Sequence, residues 1–146
     1  MPLTETPALL ILGTEAEYIS RLQTEYHGKV ITIPEGKNVV FYLSQENNCK
    51  HCICGREQNG MFKPFNPMRA QRILWIKFLL ENQTTRTIKK SLANGNLAFI
   101  CDELKYVVIC SVLPRGDLKF ITQYIVSGDE MKKFNNINKY VDHTFV

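Results

Sequence analysis

The apolar positions of this chain fall into short runs separated by turn residues, with one longer stripe at helical spacing in the middle. Met1 to Pro7 reads as a loose start. Ala8-Leu9-Leu10-Ile11-Leu12, stopped at Gly13, predicts a short strand. Thr14-Glu15-Ala16-Glu17 has the form of a capping box, with Thr14 as N-cap and Glu17 reaching back. It opens a helix to about Tyr26 whose apolar face is Tyr18, Ile19 and Leu22, with Gly28 near its end. Lys29 to Ile33 and Val39 to Leu43 predict two strands around Pro34-Glu35-Gly36. From Ser44 to Pro64 the chain is polar, rich in cysteine and without visible period, which predicts a long loop, and loops of that length are usually functional or mobile.

The stripe follows. Asn66 can cap a helix, and Pro67 fits its first position, where the missing N–H costs nothing. Ile73, Ile76, Leu79 and Leu80 then recur at spacings of three and four as far as Asn82. Beyond it, Thr85 to Leu92 is of mixed character and Asn94-Gly95 signals a tight turn. Leu97 to Cys101, Tyr106 to Val112 and Leu118 to Val126 are runs of strand type joined by short turns. Such turns require antiparallel neighbours, because parallel strands need a crossover. Ser127 can cap a last helix from about Asp129 to Tyr140. The expected fold class is α+β: an antiparallel meander of about four strands on a central amphipathic helix, with N- and C-terminal helices.

At 146 residues one domain, 1–146, is expected, with residues 44–64 as its cysteine-containing loop. The most apolar window is far too short to cross a bilayer, and no basic-then-apolar leader pattern precedes it. Five cysteines, an odd number, argue against a disulfide framework. The expectation is a cytoplasmic protein with no membrane partner. A net charge of +4 is modest, but it is unevenly placed. Met61 to Ser91 holds seven Lys or Arg against one Glu, a surplus of 6, so the remainder of the chain is at 4 − 6 = −2. Basic charge is focused on the stripe and its flank.

Three constellations could carry chemistry. Cys49-Lys50-His51-Cys52-Ile53-Cys54 sets three thiols and an imidazole within six residues, and its Cys-x-x-Cys spacing is that of a zinc knuckle. Cys49, Cys52 and Cys54 are thus candidate metal ligands for a structural zinc. The usual second ligand pair is missing, however, so a reduced, incidental loop or a reactive thiol beside Lys50 and His51 stays open. Secondly, Arg69, Arg72 and Trp75 share a helix flank and, with Arg86, Lys89 and Lys90, could grip a phosphate backbone and stack a base. A solvated face with Trp75 anchored in the core is the competing reading. Thirdly, Phe120, Thr122, Tyr124 and Val126 alternate onto one face of the last strand, where Thr122 and Tyr124 form a hydroxyl pair. His27, at a helix C-terminus, and His143, in the tail, have structural defaults. Nothing resembles a hydrolase triad, a glycine-rich phosphate loop or a paired carboxylate.

Arg69-Ala70-Gln71-Arg72-Ile73-Leu74-Trp75-Ile76, then Leu80-Glu81-Asn82, then Phe120-Ile121-Thr122-Gln123-Tyr124 resemble the phage and mobile-element members of the barnase–EndoU–colicin–RelE group. In those families an R-A-x-R-I-x-W-I helix precedes a sheet closing on an F-x-T-x-Y strand. The resemblance spans about Phe62 to Val126. It implies a metal-independent endoribonuclease, often a toxin, with transfer or messenger RNA as substrate and a cognate inhibitor protein as a further partner. Such enzymes use the RNA 2′-hydroxyl as nucleophile and require no cofactor. The protein supplies orientation, stabilisation of the phosphorane and management of two protons. The resemblance would make Arg69, Arg72, Thr122 and Tyr124 catalytic, with His27 and His51 candidate proton carriers by type only, and Trp75, Arg86, Lys89 and Lys90 RNA-binding. A non-catalytic zinc-stabilised or adaptor module is the alternative function.

Overall fold

The computed structural model describes residues 6–57 and 59–145, so most of the expected loose start lies outside the described residues. The chain is α+β, built on a seven-stranded mixed sheet. The elements are α1 (Glu15–Tyr26), β1 (Val30–Thr32), β2 (Asn38–Val40), α2 (Glu46–Ile53), α3 (Pro67–Ala70), α4 (Trp75–Glu81), β3 (Thr87–Ser91), β4 (Leu97–Cys101), β5 (Tyr106–Val112), β6 (Leu118–Ile125), α5 (Gly128–Met131) and β7 (Tyr140–Asp142). Strand order is β1-β2-β6-β5-β4-β3-β7. The expected four-strand meander is too small a description. β3 to β6 do pair antiparallel in succession, but β1 and β2 extend the sheet at one side, β2 pairing parallel to β6, and β7 closes the other side against β3.

The sheet has two unequal cores. One face carries Phe99, Tyr106, Val108, Cys110 and Phe120, packed under the helices through Leu22, Cys52, Ile73, Ile76 and Leu79. The other face carries Ala98, Ile100 and Val107, covered only by the C-terminal segment through Met131 and Phe134. β4 is therefore buried on both sides, which explains its unbroken apolar run.

Four sequence expectations are corrected. Ala8 to Leu12 forms no strand. It lies alongside the helices, tied by Leu10 N–H to Gln71 C=O and by the Tyr18 hydroxyl, which donates to Leu10 C=O and accepts from Leu12 N–H. The loop 44–64 contains α2, whose buried face is Cys49, Cys52 and Ile53 at helical spacing. The C-terminal helix is short: the Ser127–Glu130 capping box opens α5, a 3-10 turn continues to Asn135, and β7 follows.

The central helix is interrupted. Asn66 caps α3 by accepting from Arg69 N–H, and Pro67 occupies its first turn, but residues 71–74 are turns before α4 begins. The cause is competition for carbonyls. Arg69 C=O accepts from Gln123, Gln71 C=O from Leu10 N–H, Arg72 C=O from Tyr106 and Ile73 C=O from the Tyr26 hydroxyl at 2.6 Å. Trp75 N–H, its Gln71 acceptor taken, turns to Arg72 C=O, and the N–H groups of Arg72, Ile73 and Ile76 likewise bond three residues back, as in a 3-10 turn, to Arg69, Ala70 and Ile73 C=O. Tertiary hydrogen bonds thus displace the local ladder while keeping the apolar stripe inward.

Candidate active site

The site forms where the sheet loses a neighbour. β2 pairs with β6 only at Leu118 and Lys119, so from Ile121 onward that edge of β6 lacks a partner strand. Its outward carbonyls would otherwise be orphaned. Instead, Ile121 C=O faces the Cys52 thiol at 3.7 Å, and Gln123 C=O accepts from Arg69 Nη2 at 2.8 Å. The buried Gln123 amide returns bonds to Cys52 C=O and Arg69 C=O. Helix α2 and the α3 arginine are in this way fastened to the strand edge.

Arg69 is the centre of the arrangement. Its Nε donates to Cys52 C=O at 3.2 Å, and Nη2 donates to His51 C=O and to Thr122 Oγ1 as well as to Gln123 C=O. Two of these acceptors are carbonyls of the last turn of α2, where a cation is favoured by the helix dipole. Nη1 makes no hydrogen bond among the described residues, and Arg69 has no ion pair with a described carboxylate. Burial lowers its proton affinity. Gly55 lies against Nη1: it has φ +84°, and a Cβ there would collide with the nitrogen. No other residue type can occupy position 55 with Arg69 in place.

A bulge in β6 settles which side chains reach the cleft. Cys110 pairs with Phe120 but Ile109 pairs with Thr122, so Ile121 is the extra residue. Phe120 then faces the helix core with Gln123 and Ile125, while Thr122 and Tyr124 face the opposite side with Ile109 and Val107. The expected common face of Phe120, Thr122, Tyr124 and Val126 is therefore corrected: Phe120 turns to the helix core, and Val126 stays in the cluster against which Tyr124 packs.

Around this edge opens a cleft of about 430 Å³ to which His51, Arg69, Thr122 and Tyr124 all contribute. Four of the five residues singled out as catalytic thus meet, although 71 positions separate His51 from Thr122. The Thr122 hydroxyl is committed: it donates to His51 C=O at 3.0 Å and accepts from Arg69. The Tyr124 hydroxyl has no hydrogen-bond partner among the described residues. Its ring lies 5.7 Å from the Arg69 guanidinium carbon and 5.3 Å from Lys133 Nζ. Burial pushes the phenol well above its ordinary value, so it keeps its proton. His51 is pushed down to about 4, first by burial and then by the charges of Arg56 and Arg69, and is neutral at pH 7. Arg56, Lys63 and Lys133 also line the cleft, as does Glu130. With Arg69 these give four cations against one carboxylate, a surplus of 3.

Other candidates lie elsewhere. Arg72 donates to Met68 C=O and covers Trp75, outside the cleft. Trp75 is 9% exposed, donates to Pro7 C=O and meets Tyr106 edge-on, so it anchors the core and offers no stacking platform. Arg86 is removed from any RNA track: its side chain is 1% exposed, paired with Glu35 through two 2.7 Å bonds and bonded to Leu79 and Leu80 C=O. Lys89 pairs with Asp142 at 2.6 Å, and Lys90 is exposed on the same remote edge of the sheet. Cys49, Cys52 and Cys54 are buried and point to separate acceptors, Leu43 C=O, Asn48 C=O and Glu15 Oε1 respectively. Among the described residues no three His, Cys, Asp or Glu are gathered to hold a metal ion. Burial raises Cys49 and Cys54 to about 11, which makes them poor thiolates at neutral pH. His27 accepts from Leu43 N–H, a structural role, and His143 packs on Phe145.

The sequence reading missed Gly55, Gln123, Arg56, Lys63 and Lys133. Lys63 lay within the basic stretch already counted; the others carried no local signal. Compared with protein-family models, with curated proteins and with solved structures, the chain matches none.

Proposed function

We propose that the protein is a metal-independent endoribonuclease that cleaves RNA by attack of a 2′-hydroxyl on the adjacent phosphodiester. The observation that carries this reading is the meeting, in one cleft, of an arginine with a free Nη1, a neutral imidazole and a protonated phenol, surrounded by a surplus of positive charge. These are the groups that such a reaction needs.

In this reading Arg69 Nη1 holds a non-bridging phosphoryl oxygen and opposes the charge of the phosphorane, while Nε and Nη2, fixed to carbonyls, keep the guanidinium from reorienting. Neutral His51 takes the 2′-hydroxyl proton. Its basicity is low in the empty cleft partly because two arginines repel its cationic form, and a bound phosphate, neutralising them, raises it toward the working range. Tyr124 gives its proton to the departing 5′-oxygen, an alkoxide more basic than even a raised phenolate. His51 then releases its proton to solvent and the tyrosinate takes one from it, so both groups return to their starting states with no net gain or loss of protons. Thr122 acts indirectly, holding Arg69 against the His51 carbonyl. No helix of the described residues is long and apolar enough to cross a membrane.

The test is incubation of the purified protein, in EDTA, with total RNA, reading the product ends. Fragments with 2′,3′-cyclic phosphate are expected, and Tyr124→Phe is expected to slow their formation by about 10²-fold, the effect of losing one transition-state donor. Intact RNA in the presence of a folded protein would refute the reading in favour of a non-catalytic binding module.

A further inference from the structure

Beyond α2 the chain makes a narrow hairpin. Arg56 bridges Phe62 in antiparallel fashion, Lys63 N–H donates to Gly55 C=O, and Glu57 N–H donates to Met61 C=O at 2.8 Å. The guanidinium of Arg56 lies 4.8 Å from the centre of the Phe62 ring, which fixes it without neutralising it. Neither Arg56 nor Lys63 forms an ion pair with a described carboxylate.

On this hairpin lies a second, shallow and solvent-open cleft, lined by four exposed residues, Arg56, Glu57, Asn59 and Lys63. It shares two of its walls, Arg56 and Lys63, with the cleft that holds Arg69 and Tyr124. The two cations therefore stand between two adjoining spaces. Their fields reach into the first: Arg56 adds to the burial that depresses His51, and Lys63 adds a little to the Ser127 hydrogen bonds that hold Glu130 below its ordinary value.

We propose that the hairpin is a second phosphate subsite, so that the ligand is a polynucleotide strand held by two consecutive phosphodiesters, one at Arg69 and the next between Arg56 and Lys63. The inference rests on the ribonuclease reading for the identity of the strand as RNA. A single phosphate held at Arg69 offsets only part of the charge of Arg56 and Lys63, which border both clefts, whereas the neighbouring phosphate of the same strand brings a second negative charge to them. Glu57 is the opposing group. It lines only the second cleft and repels an anion there, which limits how tightly longer strands are held.

The experiment compares two non-cleavable ligands without terminal phosphates, a 2′-deoxy dinucleotide with one phosphodiester and a 2′-deoxy trinucleotide with two, by titration at about 50 mM salt, where phosphate contacts are strong. Wild type is expected to bind the longer ligand roughly tenfold more tightly, as for one added charge-assisted contact. The ratio is expected to fall toward one in the Arg56→Ala, Lys63→Ala double variant and to rise severalfold in Glu57→Gln, a gain that misfolding cannot produce. Binding of both ligands with the same ratio in all three proteins overturns the subsite and leaves the ribonuclease reading standing. Binding of neither ligand by folded wild type overturns both.

Discussion

Arg86 provides the sharpest test of the division between structural and functional cations. It belongs to the basic stretch of the sequence, yet its guanidinium holds Glu35 through two 2.7 Å bonds, donates to two carbonyls at the end of α4 and lies 5.0 Å from the centre of Phe99. Arg86→Met keeps most of the volume and removes all four polar contacts. It leaves Glu35, 16% exposed, without its counter-charge and two helix-terminal carbonyls without donors. Breaking one side of a buried pair costs about 3–5 kcal/mol. In a domain of this size each kcal/mol lowers the midpoint by about 2–4 °C, so a fall of about 10 °C is expected. Glu35→Gln retains an acceptor and should cost less, about 1.5–3 kcal/mol. The pH dependence follows. Hydrogen bonds from Arg86, then its charge, hold Glu35 below its ordinary 4.5. The stabilisation is therefore complete above the unfolded value and lost as pH falls through the folded one, and the gap between wild type and Arg86→Met should narrow under acid conditions. Denaturant titration at neutral and acid pH measures this, alongside RNA cleavage at a temperature where both proteins are folded. A stable Arg86→Met protein with weakened RNA binding would refute the structural assignment.

Other outcomes test the cleft directly. Cleavage, measured as kcat/KM on a short oligoribonucleotide, should rise with pH through the value of free His51, about 4, and flatten above it, because only the neutral imidazole accepts a proton; the acid limb should vanish in His51→Ala, and its persistence would remove His51 from the mechanism. Gly55→Ala combines a strained φ with a collision at Arg69 Nη1, so loss of cleavage together with a stability loss of 1 kcal/mol or more, an order-of-magnitude figure, is expected; full activity would show that the Nη1 position is unimportant. Metal analysis of purified protein should find no stoichiometric zinc, since each of Cys49, Cys52 and Cys54 has its own acceptor; zinc bound one to one and lost in Cys49→Ser would revive the zinc-stabilised module.

The sequence by itself determined what short-range periodicity and caps can encode. Thr14, Asn66 and Ser127 all cap helices, the turns at Asn94-Gly95 and Pro114 to Asp117 separate strands, and the stripe Ile73, Ile76, Leu79 and Leu80 points inward. The pair Thr122 and Tyr124 was legible as chemistry, because alternation places residues two apart on one face wherever the strand is regular, as it is beyond Ile121. The structure alone decided the rest. The helical period in Cys49, Cys52 and Ile53 went unseen among polar neighbours, since three residues define a face only once something packs on it. The break at residues 71–74 depends on hydroxyls and amides of Tyr26, Tyr106 and Gln123 arriving from distant segments. The bulge at Ile121 shifts parity in a way that no alternation predicts. Charge told least of all: Arg69 and Arg86 are alike in composition, but one finds three carbonyls, a hydroxyl and an open cleft, and the other a partly buried carboxylate. A side chain's type fixes what it can bind; which partners lie within 3 Å is a property of the tertiary fold.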